Sequence, residues 1–196
     1  MKLAFVFSII IILSGLVNAN HDYLKVKGHQ VESTHQARFK LKVDKSYKLL
    51  GEFHHQPTYA EKQFNVSLAA FAKNDAVVLI HAETHTDGSG GLDYSKLTPV
   101  VFGDIKFTSR EQCATPSDIP DPYSNPELRF VRDSGYNIAL PMYLKQYFVT
   151  SSDGRAEIVL TYGKRVASCG DETITSAFKE QADREMRAAV KIKKKK

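Results

Sequence analysis

Cysteine is scarce in this sequence of 196 residues, and its scarcity argues against several kinds of site. The only two cysteines are Cys113 and Cys169, and neither belongs to a C-x-x-C pair. Catalytic and metal-binding cysteine pairs usually take that form, so this pair is unlike them. Two thiols in an oxidising compartment have a single intramolecular pairing, and we predict a disulfide between them.

Long apolar runs are also missing, apart from one at the N-terminus. Residues 3–17 are apolar except for serine and glycine, and this run of about 15 residues is shorter than the roughly 20 that a membrane helix needs. Lys2 precedes the run and Val17-Asn18-Ala19 ends it, which is the pattern of a cleavable signal peptide. We predict that residues 1–19 direct export to the periplasm or the extracellular space, and that the mature chain has no transmembrane segment.

An excess of positive charge is absent from the body of the chain, although the formal net charge is +5. Lys2 and the five lysines at 191 and 193–196 carry the excess, and the net charge is −1 without them. A nucleic-acid interface needs basic residues gathered on folded surface, so we expect no nucleic-acid partner. The sequence predicts that residues 191–196 form a basic, solvated tail capable of weak contact with anionic surfaces.

No internal repeat is visible, which argues against propellers and solenoids. Most of the chain alternates apolar and polar residues with a period of two, the pattern of half-buried strands. A capping box at Thr58 and Glu61 would instead open a helix over 59–72, but the alternation over 64–72 favours a strand. The first two predicted strands form a hairpin, as do the last two. The predicted strands cover residues 39–43, 47–53, 64–72, 76–80, 100–108, 146–150 and 156–162, with weaker candidates at 128–132 and 138–144.

The spacing of apolar residues becomes helical after Cys169. Apolar side chains then recur every four positions up to Val190, which predicts an amphipathic helix of about 19 residues. The simplest arrangement is an α+β fold, in which a mainly antiparallel β-sheet built of hairpins has this one C-terminal amphipathic helix packed on it. The predicted parts are a polar N-terminal arm over 20–36 and a single β-rich domain over 37–190 that contains a proline-rich loop over 114–126.

His81, Glu83 and His85 alternate along one predicted strand and are candidate metal ligands. Same-face neighbours on a strand are about 6.6 Å apart and the outer two about 13 Å, whereas zinc ligand atoms lie about 2 Å from the ion. All three therefore cannot bind one ion, and a zinc site would need one of His54 and His55, which point to opposite faces of their strand. The other interpretation makes the histidines surface groups and Glu83 a cross-strand partner of a lysine.

The glycine-rich turn over 87–91 provides no complete catalytic set. Its order differs from the serine-protease nucleophile motif, and no orienting group for a Ser89–His85 pair is identifiable. The sequence therefore favours an exported, non-catalytic domain that binds a partner or ligand or is structural in the envelope. The alternative is a small metal-dependent hydrolase or lyase that uses the His81-x-Glu83-x-His85 strand to activate water.

Overall fold

The structure, a computed structural model, describes residues 22–194 except 60, 91–92, 120 and 122–123. The predicted signal peptide and the last two residues of the predicted tail lie outside the described residues. Antiparallel strands and two helices make up the described part, which confirms the prediction of a β-rich α+β class. Neither helix has the length and apolar character needed to cross a membrane. In chain order the elements are β1 (Leu24–Lys27), β2 (Gln30–Ser33), β3 (Phe39–Val43), β4 (Lys48–His55), β5 (Thr58–Tyr59), β6 (Lys62–Lys73), β7 (Ala76–His85), β8 (Thr98–Phe102), β9 (Ile105–Ala114), α1 (Pro126–Asp133), β10 (Met142–Thr150), β11 (Ala156–Arg165), α2 (Ser176–Ala189) and β12 (Val190–Lys194).

The large sheet has the strand order β4-β6-β7-β11-β10-β9-β8, with β5 paired to β6 off this path. Residues 64–72 lie within β6, so the strand prediction there is confirmed over the helix. The predicted hairpin of β10 and β11 is also present. The predicted hairpin of residues 39–43 and 47–53 is wrong, because β3 and β4 belong to different sheets.

Apolar clusters cover both faces of the large sheet, so its central strands are buried on both sides. On one face, side chains such as Val78 and Ile80 pack in a core shared with the small sheet and α2. On the other face, Val77 and Leu79 pack in a second core that includes Val131 of α1. The sequence predicted a core on only one face of the sheet, because alternation along a strand does not show that a second element packs on the other face.

The small sheet, β1-β2-β3-β12, uses both ends of the described chain. The polar arm expected over 20–36 contains the β1–β2 hairpin, in which Leu24 and Val31 are buried. The tail expected over 191–196 lies, as far as residue 194, in β12, which pairs with β3. Ile192 is buried there between exposed lysines, so this segment alternates as a half-buried strand does.

Helix α1 occupies residues predicted as a weak strand over 128–132. The Asn125 side chain caps its first turn by accepting from two backbone N–H groups, and Pro126 takes a first-turn position that needs no N–H donor. These start signals outweigh the short alternation that suggested a strand. The helix consequently begins where the predicted proline-rich loop over 114–126 ends.

A disulfide and helix α2 complete the described fold. Cys113 near the end of β9 and Cys169 in the segment after β11 form the predicted disulfide, with their Cα atoms 5.7 Å apart. Helix α2 begins after the Thr175 cap and buries Ala182 and Met186 in the core between the sheets.

Candidate functional site

The His81-x-Glu83-x-His85 motif lies on β7, in the interior of the large sheet between β6 and β11. Its three residues are 7%, 7% and 4% exposed. The interpretation of these histidines as surface groups, with a lysine opposite Glu83, is therefore wrong. Alternation along β7 could not reveal that these side chains are buried, because α1 and the segment after β7 cover this face of the strand.

Glu127 connects α1 to two strands of the large sheet. Its Oε1 accepts a hydrogen bond from Nε2 of His55 at 2.7 Å, and its Oε2 lies 3.1 Å from Nε2 of His81. The carboxylate also lies in the first turn of α1, where the helix dipole favours negative charge. Glu127 was not predicted as a site residue, since it lies 46 positions from His81 in sequence.

Two further buried carboxylates face each other across neighbouring strands. Glu83 on β7 and Glu157 on β11 are direct cross-strand partners. The Tyr94 hydroxyl donates a 2.5 Å hydrogen bond to Glu157, and Glu83 Oε1 lies 3.9 Å from Nδ1 of His81. Because like charges directly opposite each other repel, both carboxyl groups cannot be ionised here at low cost. The five residues His55, His81, Glu83, Glu127 and Glu157 together form what we call the buried cluster.

Burial and mutual charge set the protonation of the buried cluster. Burial alone would lower the pKa of His81, but the charge and hydrogen bond of Glu127 raise it to about 9. Burial opposes ionisation of Glu127, yet His81 and the hydrogen bonds from both histidines bring its pKa well below the ordinary value. Burial raises the pKa of Glu83 to about 8 and also raises that of Glu157. At neutral pH the cluster thus contains a His81–Glu127 ion pair beside protonated Glu83.

The remaining candidate ligands lie apart from this cluster. His54 points to the other face of β4, where Nδ1 lies 3.0 Å from the Ser67 hydroxyl. His85 lies 2.8 Å from Ser89 through Nδ1 and packs edge-on against Phe64. Across the described residues, no three His, Cys, Asp or Glu side chains are arranged to hold a metal ion. The zinc hypothesis therefore gains no geometric support.

The Ser89–His85 contact is also incomplete as a nucleophile and base. In a serine hydrolase triad the second ring nitrogen of the histidine meets an acid that orients it. Nε2 of His85 is buried and has no hydrogen-bond partner in the part of the chain that the structure describes. Among the described residues, Ser89 and His85 therefore have no acid that could complete a catalytic triad.

The outer face of the small sheet is a second, unpredicted feature. Strand pairing aligns its outward-facing side chains in two rows across four strands, and six of the eight positions are lysine. All six lysines are exposed, and we call them the lysine face. Glu32 is its single carboxylate, 3.6 Å from Lys40. The rows are Lys25–Glu32–Lys40–Lys193 and Lys27–Gln30–Lys42–Lys191.

Comparison with known proteins adds no further assignment. No protein-family model, no curated protein and no solved structure matches this chain. The class is therefore defined by the chain's own features: a β-rich domain of two sheets with one disulfide, a buried acid–histidine cluster inside and the lysine face outside.

Proposed function

We propose that this chain is an exported, non-catalytic domain that binds the anionic lipid surface of a membrane through the lysine face. The observation that carries the proposal is the six lysines among eight outward positions of one four-stranded sheet. The N-terminal segment over 1–19 and the Cys113–Cys169 disulfide support export, since disulfides persist mainly in oxidising compartments.

Repulsion within the lysine face supports an external anionic partner. Lys40 lies directly opposite Lys193, and Lys42 lies directly opposite Lys191. Like charges directly opposite each other destabilise a sheet. For Lys27, Lys42 and Lys193, no carboxylate lies within ion-pair distance among the described residues. An anionic surface would relieve this repulsion.

The strength of the attraction follows from the number of charges. Lysines held near an anionic membrane contribute about 1 kcal/mol each. Six lysines less the charge of Glu32 therefore give an attraction on the order of 5 kcal/mol at physiological ionic strength. The sheet can present all six lysines to one surface, because its outward side chains share one face.

The composition of the face favours a membrane over a nucleic acid. Its eight positions contain no aromatic side chain on which bases could stack and no arginine to read base edges. Electrostatic attraction to a planar array of phosphates needs neither feature.

Vesicle cosedimentation tests the proposal. We expect the protein to bind vesicles rich in phosphatidylglycerol and not vesicles of phosphatidylcholine alone. The variant Lys42→Glu/Lys193→Glu reverses two charges on the face, which removes about 4 kcal/mol of attraction, and should bind at least tenfold more weakly. It places acids opposite lysines, so the small sheet should remain folded.

The matched control is Lys62→Glu/Lys96→Glu, which makes the same change in net charge at exposed sites outside the small sheet. This control should retain most of the vesicle binding. Equal losses in the two variants would contradict a role for the face. Tighter binding to duplex DNA than to anionic vesicles at the same salt concentration would assign the face to a nucleic acid instead.

A further inference from the structure

A cleft of about 560 Å³ opens beside one end of the small sheet. Its volume lies in the range of about 300–1,000 Å³ that is usual for ligand pockets. Residues 36–39, 104–106 and 149–152 line it together with Ile158 and Lys194, and we call it the edge cleft. It shares no residue with the buried cluster or with the lysine face.

Close contacts fix two walls of the edge cleft. The turn between β8 and β9 lies directly against β12: a Cβ atom on Gly103 would be 2.4 Å from the backbone oxygen of Ile192. Beside it, Asp104 Oδ1 accepts a 3.0 Å hydrogen bond from the backbone N–H of Lys194. The cleft is thus built by backbone packing between two sheets.

The lining of the edge cleft is divided between apolar and cationic groups. Phe39, Ile105 and Ile158 are apolar lining residues and are each less than a tenth exposed. The exposed cationic lining residues are Arg38, Lys106 and Lys194, and none of these three side chains forms an ion pair with a described residue. Asp104 is the single acidic lining residue, and one of its oxygens is already bound to a backbone N–H.

We propose that the edge cleft binds an amphiphilic anion of the fatty-acid class, with one hydrocarbon chain and one carboxylate. The hydrocarbon chain lies against Phe39, Ile105 and Ile158, where the apolar surface of the ligand itself leaves water. The carboxylate lies among Arg38, Lys106 and Lys194, where three positive charges face one acid. This site goes beyond the proposed membrane binding, because it takes a single molecule from solution.

Calorimetric titration tests the assignment with decanoate below its micelle concentration. We expect decanoate to bind with a stoichiometry of one, and decyltrimethylammonium and inorganic phosphate not to bind. Decyltrimethylammonium has the same hydrocarbon chain with a positive charge, and inorganic phosphate has a negative charge without a hydrocarbon chain. The variant Lys106→Glu/Lys194→Glu should lose at least tenfold in affinity for decanoate.

Two control variants separate this site from the lysine face. Lys62→Glu/Lys96→Glu and Lys42→Glu/Lys193→Glu should both bind decanoate as the unmodified protein does. Because the titration contains no vesicles, its result does not depend on membrane binding. Equal affinity for decyltrimethylammonium, unchanged affinity in the Lys106/Lys194 variant, or no decanoate binding would overturn the proposal. If monomeric dihexanoyl phosphatidylglycerol, which has two hydrocarbon chains, bound more tightly than decanoate, the assignment to a single-chain ligand would be overturned.

Discussion

Replacing Glu127 by glutamine should weaken the fold through the buried cluster. Glutamine keeps the size of the side chain and one acceptor oxygen, but it removes the charge that pairs with His55 and His81. Both histidine side chains are about a tenth exposed, so little solvent can replace the lost partner. The variant therefore tests the charge of Glu127 separately from its packing.

The expected loss is large because the pair is buried. Removing one partner of a buried ion pair costs about 3–5 kcal/mol. The same interaction raises the His81 pKa to about 9 from an ordinary 6.5, which corresponds to about 3 kcal/mol of stabilisation of the protonated ring. We therefore expect Glu127→Gln to lower the free energy of unfolding by about 3 kcal/mol at pH 6.

The pH dependence provides a second signature. The stabilisation from His81 is complete below pH 6.5 and is lost as the pH rises through about 9. The raised pKa of Glu83 acts in the same direction, since stability falls as the pH rises from 4.5 through about 8. The lowered pKa of Glu127 acts oppositely, because its contribution is present above pH 4.5 and is lost in stronger acid. The unmodified protein should therefore be most stable in mild acid.

Urea unfolding at a series of pH values measures both effects. In Glu127→Gln, the decline in stability between neutral pH and pH 9 should be shallower than in the unmodified protein, because the His81 contribution is lost while that of Glu83 remains. Glu180→Gln is the matched control, because the Glu180 side chain is 72% exposed, and it should change stability by less than about 0.5 kcal/mol. A loss below about 1 kcal/mol in Glu127→Gln, with an unchanged pH profile, would refute the assignment of the ion pair.

Three further perturbations have defined outcomes. Cys113→Ala/Cys169→Ala opens a link between residues 56 positions apart and should cost about 4 kcal/mol in urea unfolding, whereas a cost below about 1 kcal/mol would contradict the loop-entropy argument. In Gly163→Ala, the new Cβ would lie 2.9 Å from Met142 Sδ, so the variant should lose about 1–3 kcal/mol; unchanged stability would show that the core relaxes freely. Incubation with a chelator should leave the thermal midpoint unchanged, and a fall of several degrees would restore the zinc hypothesis at His81.

Alternation along single strands predicted much of the large sheet. Residues 64–72 could be recognised because every second residue is apolar, and residues 156–162 because an Asp-Gly turn precedes them; both lie in interior strands of the large sheet. Strand partners were harder to predict. The chain passes from β3 to β4 through a short turn, as a hairpin would, yet the two strands pair in different sheets.

The buried cluster could be predicted only in part. The motif on β7 identified His81 and Glu83 as unusual, and the strand period argued against a site that uses all three motif residues. Glu127 and Glu157 come from distant segments and look like ordinary surface acids in sequence. Their burial follows from how α1 packs on the sheet, which no local pattern specifies.

The lysine face depends on pairing between the two ends of the described chain. The alternation Lys191-Ile192-Lys193 was a local strand signal, but it followed directly on a helical period and was interpreted as a frayed tail. Even with that strand assigned, the face requires β12 to lie beside β3. Such a long-range partner cannot be deduced from composition.

The most direct test of the proposed membrane binding is the partition of the protein onto anionic vesicles at two ionic strengths. Raising the salt from about 0.1 M to about 1 M shortens the Debye length from about 10 Å to about 3 Å. We expect strong binding at the lower salt, near-complete release at the higher salt, and a loss of at least tenfold in Lys42→Glu/Lys193→Glu relative to the Lys62→Glu/Lys96→Glu control. Binding that persists at high salt, or that is equal in the two variants, would contradict the lysine face as the membrane-binding surface.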